Sequence, residues 1–108
     1  MTDGHIVVLC TCPDAATAER IAQTLVEEEL AACVNVVPGL ISLYRWQGAV
    51  QRDSECLLLI KTRAAPFEIL AHRIRSLHPY TVPEIIALPI AQGSAAYLQW
   101  IDESTRPA

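Results

Sequence analysis

The stretch whose reading decides the fold is Val34-Asn35-Val36-Val37-Pro38-Gly39-Leu40-Ile41-Ser42-Leu43-Tyr44-Arg45-Trp46-Gln47-Gly48-Ala49-Val50, returning through Glu55-Cys56-Leu57-Leu58-Leu59-Ile60-Lys61-Thr62. Ser42, Tyr44 and Trp46 fall on one face and Leu43 and Arg45 on the other, the period-two pattern of a strand. Gly48 stands where a reversal needs positive φ, so Trp46-Gln47-Gly48-Ala49 is the predicted tip of a hairpin. Strands in globular domains usually run to about five or six residues, and both arms here read as at least twice that. Arms of that length outrun the sheet that a small domain can give them, and an unpaired aromatic-bearing edge invites association. The hairpin therefore predicts pairing with another copy of the chain.

Working outward, Ile6-Val7-Val8-Leu9-Cys10 is a continuous β-branched run, expected as a strand buried on both faces. Pro13 breaks it, and Asp14 is placed to cap a helix from Ala15 to about Leu30, with Ala18, Ile21, Ala22 and Leu25 at helical spacing. Pro38-Gly39 interrupts the second strand and predicts a bulge. Pro66 fits the first position of a second helix whose apolar stripe is Phe67, Leu70, Ile74 and Leu77. Pro79 ends that helix by pushing His78 out of the helical region. Glu84 to Ile90 reads as a fourth strand. Ser94 caps a last helix in which Tyr97, Leu98, Trp100 and Ile101 are expected to pack inward. Thr105 to Ala108 is expected to fray. The order β-α-β, hairpin, β-α-β plus a helix is that of an α+β ferredoxin-like sandwich, with the first and third strands at the sheet centre.

The chain has 108 residues, enough for one domain spanning 1–108 and too few for two. It is 52% hydrophobic and 19% charged, which excludes disorder, and with one Phe and two Trp the core must be aliphatic. A net charge of −4 with dispersed acids leaves no footprint for nucleic acid or an anionic membrane. Arg73 and Arg75 read as a solvated helix face. No segment approaches the roughly 18 apolar residues of a membrane span, and the N-terminus lacks a signal-peptide pattern, so a cytoplasmic protein is expected. In a reducing compartment Cys10, Cys12, Cys33 and Cys56 read as small buried hydrophobes.

Catalytic motifs are largely missing. The chain contains no G-x-S-x-G, H-E-x-x-H or C-x-x-C, and its four glycines are too few for a phosphate cradle. It therefore reads as a non-enzyme. Three polar groups remain. Cys10 and Cys12 lie two apart on a strand and face the same side, and thiolates with imidazole suit copper and zinc. His78 lies just past a helix end, where it either satisfies terminal carbonyls or ligates a metal. Glu55, Lys61 and Glu84 form either a structural ion pair at the sheet end or a small polar pocket between subunits. His5 and His72 read as surface residues.

With these residues in place, the chain resembles the CutA divalent-cation tolerance family. The resemblance rests on Val8-Leu9-Cys10-Thr11 with Pro13-Asp14, Leu30-Ala31-Ala32-Cys33-Val34-Asn35, and Ser42-Leu43-Tyr44-Arg45-Trp46-Gln47-Gly48. It continues through Glu55, Lys61-Thr62, His78-Pro79-Tyr80, Val82-Pro83-Glu84-Ile85, Leu88-Pro89 and Tyr97-Leu98-Gln99-Trp100. It implies a ferredoxin-like homotrimer joined through long hairpins, and binding of copper or another divalent metal. The implied ligands fall on Cys10, Leu77 and His78. Leu77 cannot ligate, so the implied metal site is Cys10 and His78, completed by water, Cys12 or a neighbouring subunit. The trimer also resembles nitrogen-regulatory signalling proteins. That implies an alternative, a trimer sensing a small ligand in a pocket between subunits near Asn35, Lys61, Tyr80 and Glu84. A protein-binding scaffold is the third reading.

Overall fold

The computed structural model describes residues 4–106. The elements run β1 (His5–Cys12), α1 (Ala15–Glu27), β2 (Cys33–Trp46), β3 (Ala49–Arg63), α2 (Phe67–Leu77), β4 (Ile86–Pro89) and α3 (Ala95–Ser104). The four strands form one antiparallel sheet in the order β2-β3-β1-β4. The first and third strands are central, as the ferredoxin-like sandwich requires.

Alternation builds the core. Ile6, Val8, Cys10 and Cys12 of β1 meet Thr62, Ile60, Leu58 and Cys56 of β3 on one face. Ala18, Ile21, Ala22 and Leu25 of α1 and Leu70 and Ile74 of α2 cover that face. The expected burial of β1 on both faces holds on this side only. Val7, Leu9 and Thr11 are half-buried because only α3 packs on the opposite face, at the end where Asp102 meets His5 and Thr105 meets Arg63. That face carries Val37, Ile86 and Leu88, all exposed.

The Asp14 carboxylate accepts from the Thr17 N–H at 2.8 Å and starts α1 as expected. The helix stops three residues short of Leu30. Glu29 adopts a left-handed φ of 58°, while the Leu30 N–H bonds the Leu25 carbonyl at 2.9 Å and the Glu29 N–H bonds that of Val26 at 3.0 Å. These are the two bonds of a Schellman cap, and Leu30 and Leu25, both buried, supply its apolar contact. Pro66 sits one place earlier than expected, as N-cap of α2. His78 is extended (ψ 137°), as Pro79 demands.

The hairpin arms are 14 and 15 residues long. Trp46 pairs with Ala49 across Gln47 (φ 49°) and Gly48 (φ 82°), a type I′ turn at the predicted tip. The register shifts between Val37 and Leu40, so Pro38 and Gly39 together oppose Cys56: this is the expected bulge. The fourth strand is shorter than expected, four residues rather than seven. In α3 only Ile101 is fully buried. Tyr97 and Trp100, expected inside, are each 42% exposed and stack on one another at 5.4 Å. The expected fraying does not begin at Thr105, which is buried and bonded to Ile101 and Arg63; Pro107 and Ala108 lie outside the described residues. No helix among the described residues is long and apolar enough to cross a membrane.

Two surface readings change. Arg73 is not merely solvated: its Nε and Nη2 reach the Glu28 carboxylate at 2.9 and 2.8 Å, tying α2 to the end of α1. His5 Nε2 contacts Asp102 of α3 at 2.9 Å.

Candidate metal centre

The centre forms where the end of β1 meets the end of α2. Alternation along β1 turns Cys10 and Cys12 to the same side, and both are fully buried. The chain leaving α2 brings in His78, also buried. Donor atoms of Cys10, Cys12 and His78 all lie within 4.8 Å of one another.

His78 is held at both ring nitrogens. Nδ1 accepts the Tyr80 N–H at 3.1 Å, which leaves the proton on Nε2, and Nε2 donates to the Thr11 carbonyl at 2.7 Å. The Tyr80 ring packs on the imidazole at 4.7 Å. His78 therefore does not cap its own helix. Arg20 of α1 does, donating to the Leu77 carbonyl at 2.9 Å. The Leu77 side chain packs against the core, so the position of the missing imidazole is apolar in fact as well as in sequence.

The two thiols are coupled. Cys12 is pulled below the ordinary thiol range because Cys10 hydrogen-bonds to it, and Cys10 is pushed up by the same bond and by burial. Cys12 is thus the more acidic thiol of the pair. Two sulfurs and one imidazole make a soft donor set, fitting zinc or copper and unsuited to magnesium or calcium. The residues present fit the metal that the resemblance implies. A metal held at Nδ1 would displace the Tyr80 N–H and leave Nε2–H on the Thr11 carbonyl, the kind of outer contact that orients a ligating histidine, whereas one held at Nε2 would displace the Thr11 bond and keep the Tyr80 N–H.

The residues expected in a second pocket divide in two. Tyr80 and Glu84 line an open pocket of about 760 Å³ together with Thr11, Tyr44 and Glu55. There the Tyr80 hydroxyl donates to Glu55 at 2.7 Å, and burial followed by that bond raises the phenol. Asn35 and Lys61 do not line it. They bond each other on β2 and β3, and Lys61 makes no ion pair with Glu84. Sequence reasoning had left Tyr44 out of the pocket. Its hydroxyl bonds Asp53 across the hairpin, and its place on the Ser42–Trp46 face was the available signal.

The fold and the buried thiol–imidazole cluster define a ferredoxin-like protein with the donor chemistry of a soft-metal site. The CutA1 divalent ion tolerance protein family model matches residues 6–104, and the chain belongs to that family. It is 60% identical over 99 residues to the divalent-cation tolerance protein CutA of Thermus thermophilus, covering 92% of this chain and 96% of that one. It is 52% identical over 105 residues to the chloroplastic CutA of Arabidopsis thaliana, covering 97% of this chain and 58% of that longer relative. The solved Thermus thermophilus structure superposes with a TM-score of 0.92 at 58% identity, covering 94% and 99% of the two chains. CutA1 from Oryza sativa superposes at 0.95 with 46% identity over the whole of both.

Proposed function

We propose that this chain is a non-enzymatic metal-tolerance protein of the cytoplasm. In this reading it binds copper or another soft metal through Cys10, Cys12 and His78 and works as a homotrimer. The observation that carries the metal site is the convergence of two thiols and an imidazole within 4.8 Å in a buried position. Cys12 restores the third donor that Leu77 withholds. Four free cysteines suit a reducing compartment. The trimer is supported by the exposed apolar hairpin and by the part of the second sheet face, at Val37, Ile86 and Leu88, that α3 leaves exposed.

The test is an anaerobic titration of reduced protein with copper in both oxidation states and with zinc, against a competing chelator. Stoichiometric binding that disappears in the Cys10→Ala/His78→Ala double variant supports the site. Equal weak binding by both proteins overturns it.

A second reading is favoured by the pocket at Tyr80 and Glu84, whose walls of tyrosine, carboxylate and aliphatic groups suit a small polar ligand. A sensor of that kind would lose its ligand with Glu84→Ala or Tyr80→Phe, both pocket-lining residues, and keep its metal. A scaffold would tolerate all four substitutions.

A further inference from the structure

One buried thiol takes no part in the centre so far. Cys56 is 6% exposed, belongs to the same core cluster as Cys10 and Cys12, and is a free thiol. In the β1–β3 register it lies directly opposite Cys12. Residues directly opposed across an antiparallel pair share a face with Cβ atoms about 4.5–5.5 Å apart. On its other side the bulge places exposed Pro38 and Gly39 against it, so the one core-facing side chain directly opposed to Cys56 is Cys12.

We propose that Cys56 is the fourth donor of the metal centre, making it a Cys3His site. The proposal rests on the metal-binding reading above and adds a ligand to it. Cys56 Sγ is not among the donors that lie within 4.8 Å of one another. The proposal therefore requires Cys56 to change χ1 rotamer when metal binds, with the backbone register kept by the sheet. Three thiolates and one imidazole close a tetrahedral site around zinc, the composition of structural rather than open catalytic zinc sites. The same set disfavours cupric ion, which takes square-planar or tetragonal nitrogen and oxygen ligands, and favours cuprous ion. Water is then not needed to complete the shell, and the centre becomes a closed site selective for zinc and cuprous copper.

The experiment uses the full reduced chain under anaerobic conditions. X-ray absorption at the zinc edge of the zinc-loaded protein counts ligands without any substitution, and three sulfurs with one imidazole are expected. Two sulfurs with two lighter ligands would overturn the proposal while leaving the Cys10, Cys12 and His78 reading intact. Cobalt loading gives a second readout, because sulfur-to-cobalt charge-transfer intensity follows the number of thiolates. Cys56→Ser and Cys56→Ala should each remove about one third of it and weaken zinc binding by at least about tenfold. Unchanged intensity in both variants makes Cys56 a core residue only. No sulfur at the metal even in the unsubstituted chain overturns the centre itself, and the fourth donor with it.

Discussion

His78 Nε2 donates to the Thr11 carbonyl oxygen at 2.7 Å, joining the end of α2 to the end of β1 across 67 positions of sequence. Thr11 is the residue between Cys10 and Cys12, so this bond fixes the imidazole relative to both thiols. It also satisfies a carbonyl that sits against the core. His78→Leu fills the volume and leaves that carbonyl with only the weak contact from the Cys10 thiol at 3.8 Å, at a cost of about 1–3 kcal/mol. Urea denaturation at one fixed protein concentration measures this, since oligomer stability depends on concentration. A change under about 0.5 kcal/mol would mean that water replaces the imidazole there.

Thr62 is the one polar residue on the core face of β3. It is fully buried, and its hydroxyl donates to the Leu30 carbonyl at 2.7 Å, just after the Schellman cap. Thr62→Val keeps the shape and removes the donor. The expected loss is about 1–3 kcal/mol, read from the same denaturation curves. Thr62→Ser, which keeps the hydroxyl, should retain the bond and lose only the methyl contacts.

How far the molecule was legible depended on whether a feature was local. The hairpin tip, the bulge at Pro38-Gly39, the Asp14 cap and the stop before Pro79 each rest on the backbone limits of one or two residues, and all were readable. The end of α1 was missed because its stop is a glutamate in the left-handed region, a conformation that no sequence pattern demands of Glu29. Tyr97 and Trp100 were misplaced because a stripe of aromatics looks the same whether its cover is this chain or something else. At the site, alternation alone put Cys10 and Cys12 on one side. Their meeting with His78 depends on how α2 packs over the sheet, and the pairing of Cys12 with Cys56 depends on a register between strands distant in sequence. Neither leaves a local trace.

Glu29 itself offers a test. A residue with a Cβ in the left-handed region costs about 1–2 kcal/mol relative to its right-handed conformation, and glycine avoids that cost at the C′ position of a Schellman cap. Glu29 is exposed, and its backbone carbonyl accepts from the Arg106 N–H, a bond that glycine keeps. Glu29→Gly should therefore raise stability by about 1 kcal/mol in spite of the extra freedom of the unfolded chain. A fall in the denaturation midpoint would show that the glutamate side chain contributes more than its backbone costs.

The Arg73–Glu28 fork predicts an acid-sensitive contribution. Hydrogen bonds from Arg73 hold the Glu28 carboxyl below the usual carboxylate range. A depressed folded value means that the contribution is fully present above the unfolded glutamate pKa of roughly 4.3. It is lost as the pH falls through the lower folded value. Glu28→Gln should thus lie below the parent in stability at neutral pH, with the gap closing in acid. Thermal melts from pH 7 to pH 3 measure it, and high salt should narrow the gap because the pair is exposed. A gap independent of pH would assign the effect to packing instead of charge.

Association through the hairpin can be tested without disturbing the hairpin itself. Leu43 and Val50 are 67% and 66% exposed, and they pair across the strands with Arg52 and Arg45. Glutamate introduced at either position would face an arginine directly across the ladder, a favourable cross-strand pair. Each arm should therefore remain folded, while the apolar patch offered to a second copy becomes charged. In the Leu43→Glu/Val50→Glu double variant, light scattering after gel filtration should show the mass falling from three chains of 11.9 kDa towards one, with the circular dichroism spectrum preserved. A parent protein already running as a single chain would remove the trimer from the proposed function. A variant that remains trimeric would move the contact from the hairpin to the uncovered sheet face at Ile86 and Leu88, where glutamate substitutions would then have to separate the chains.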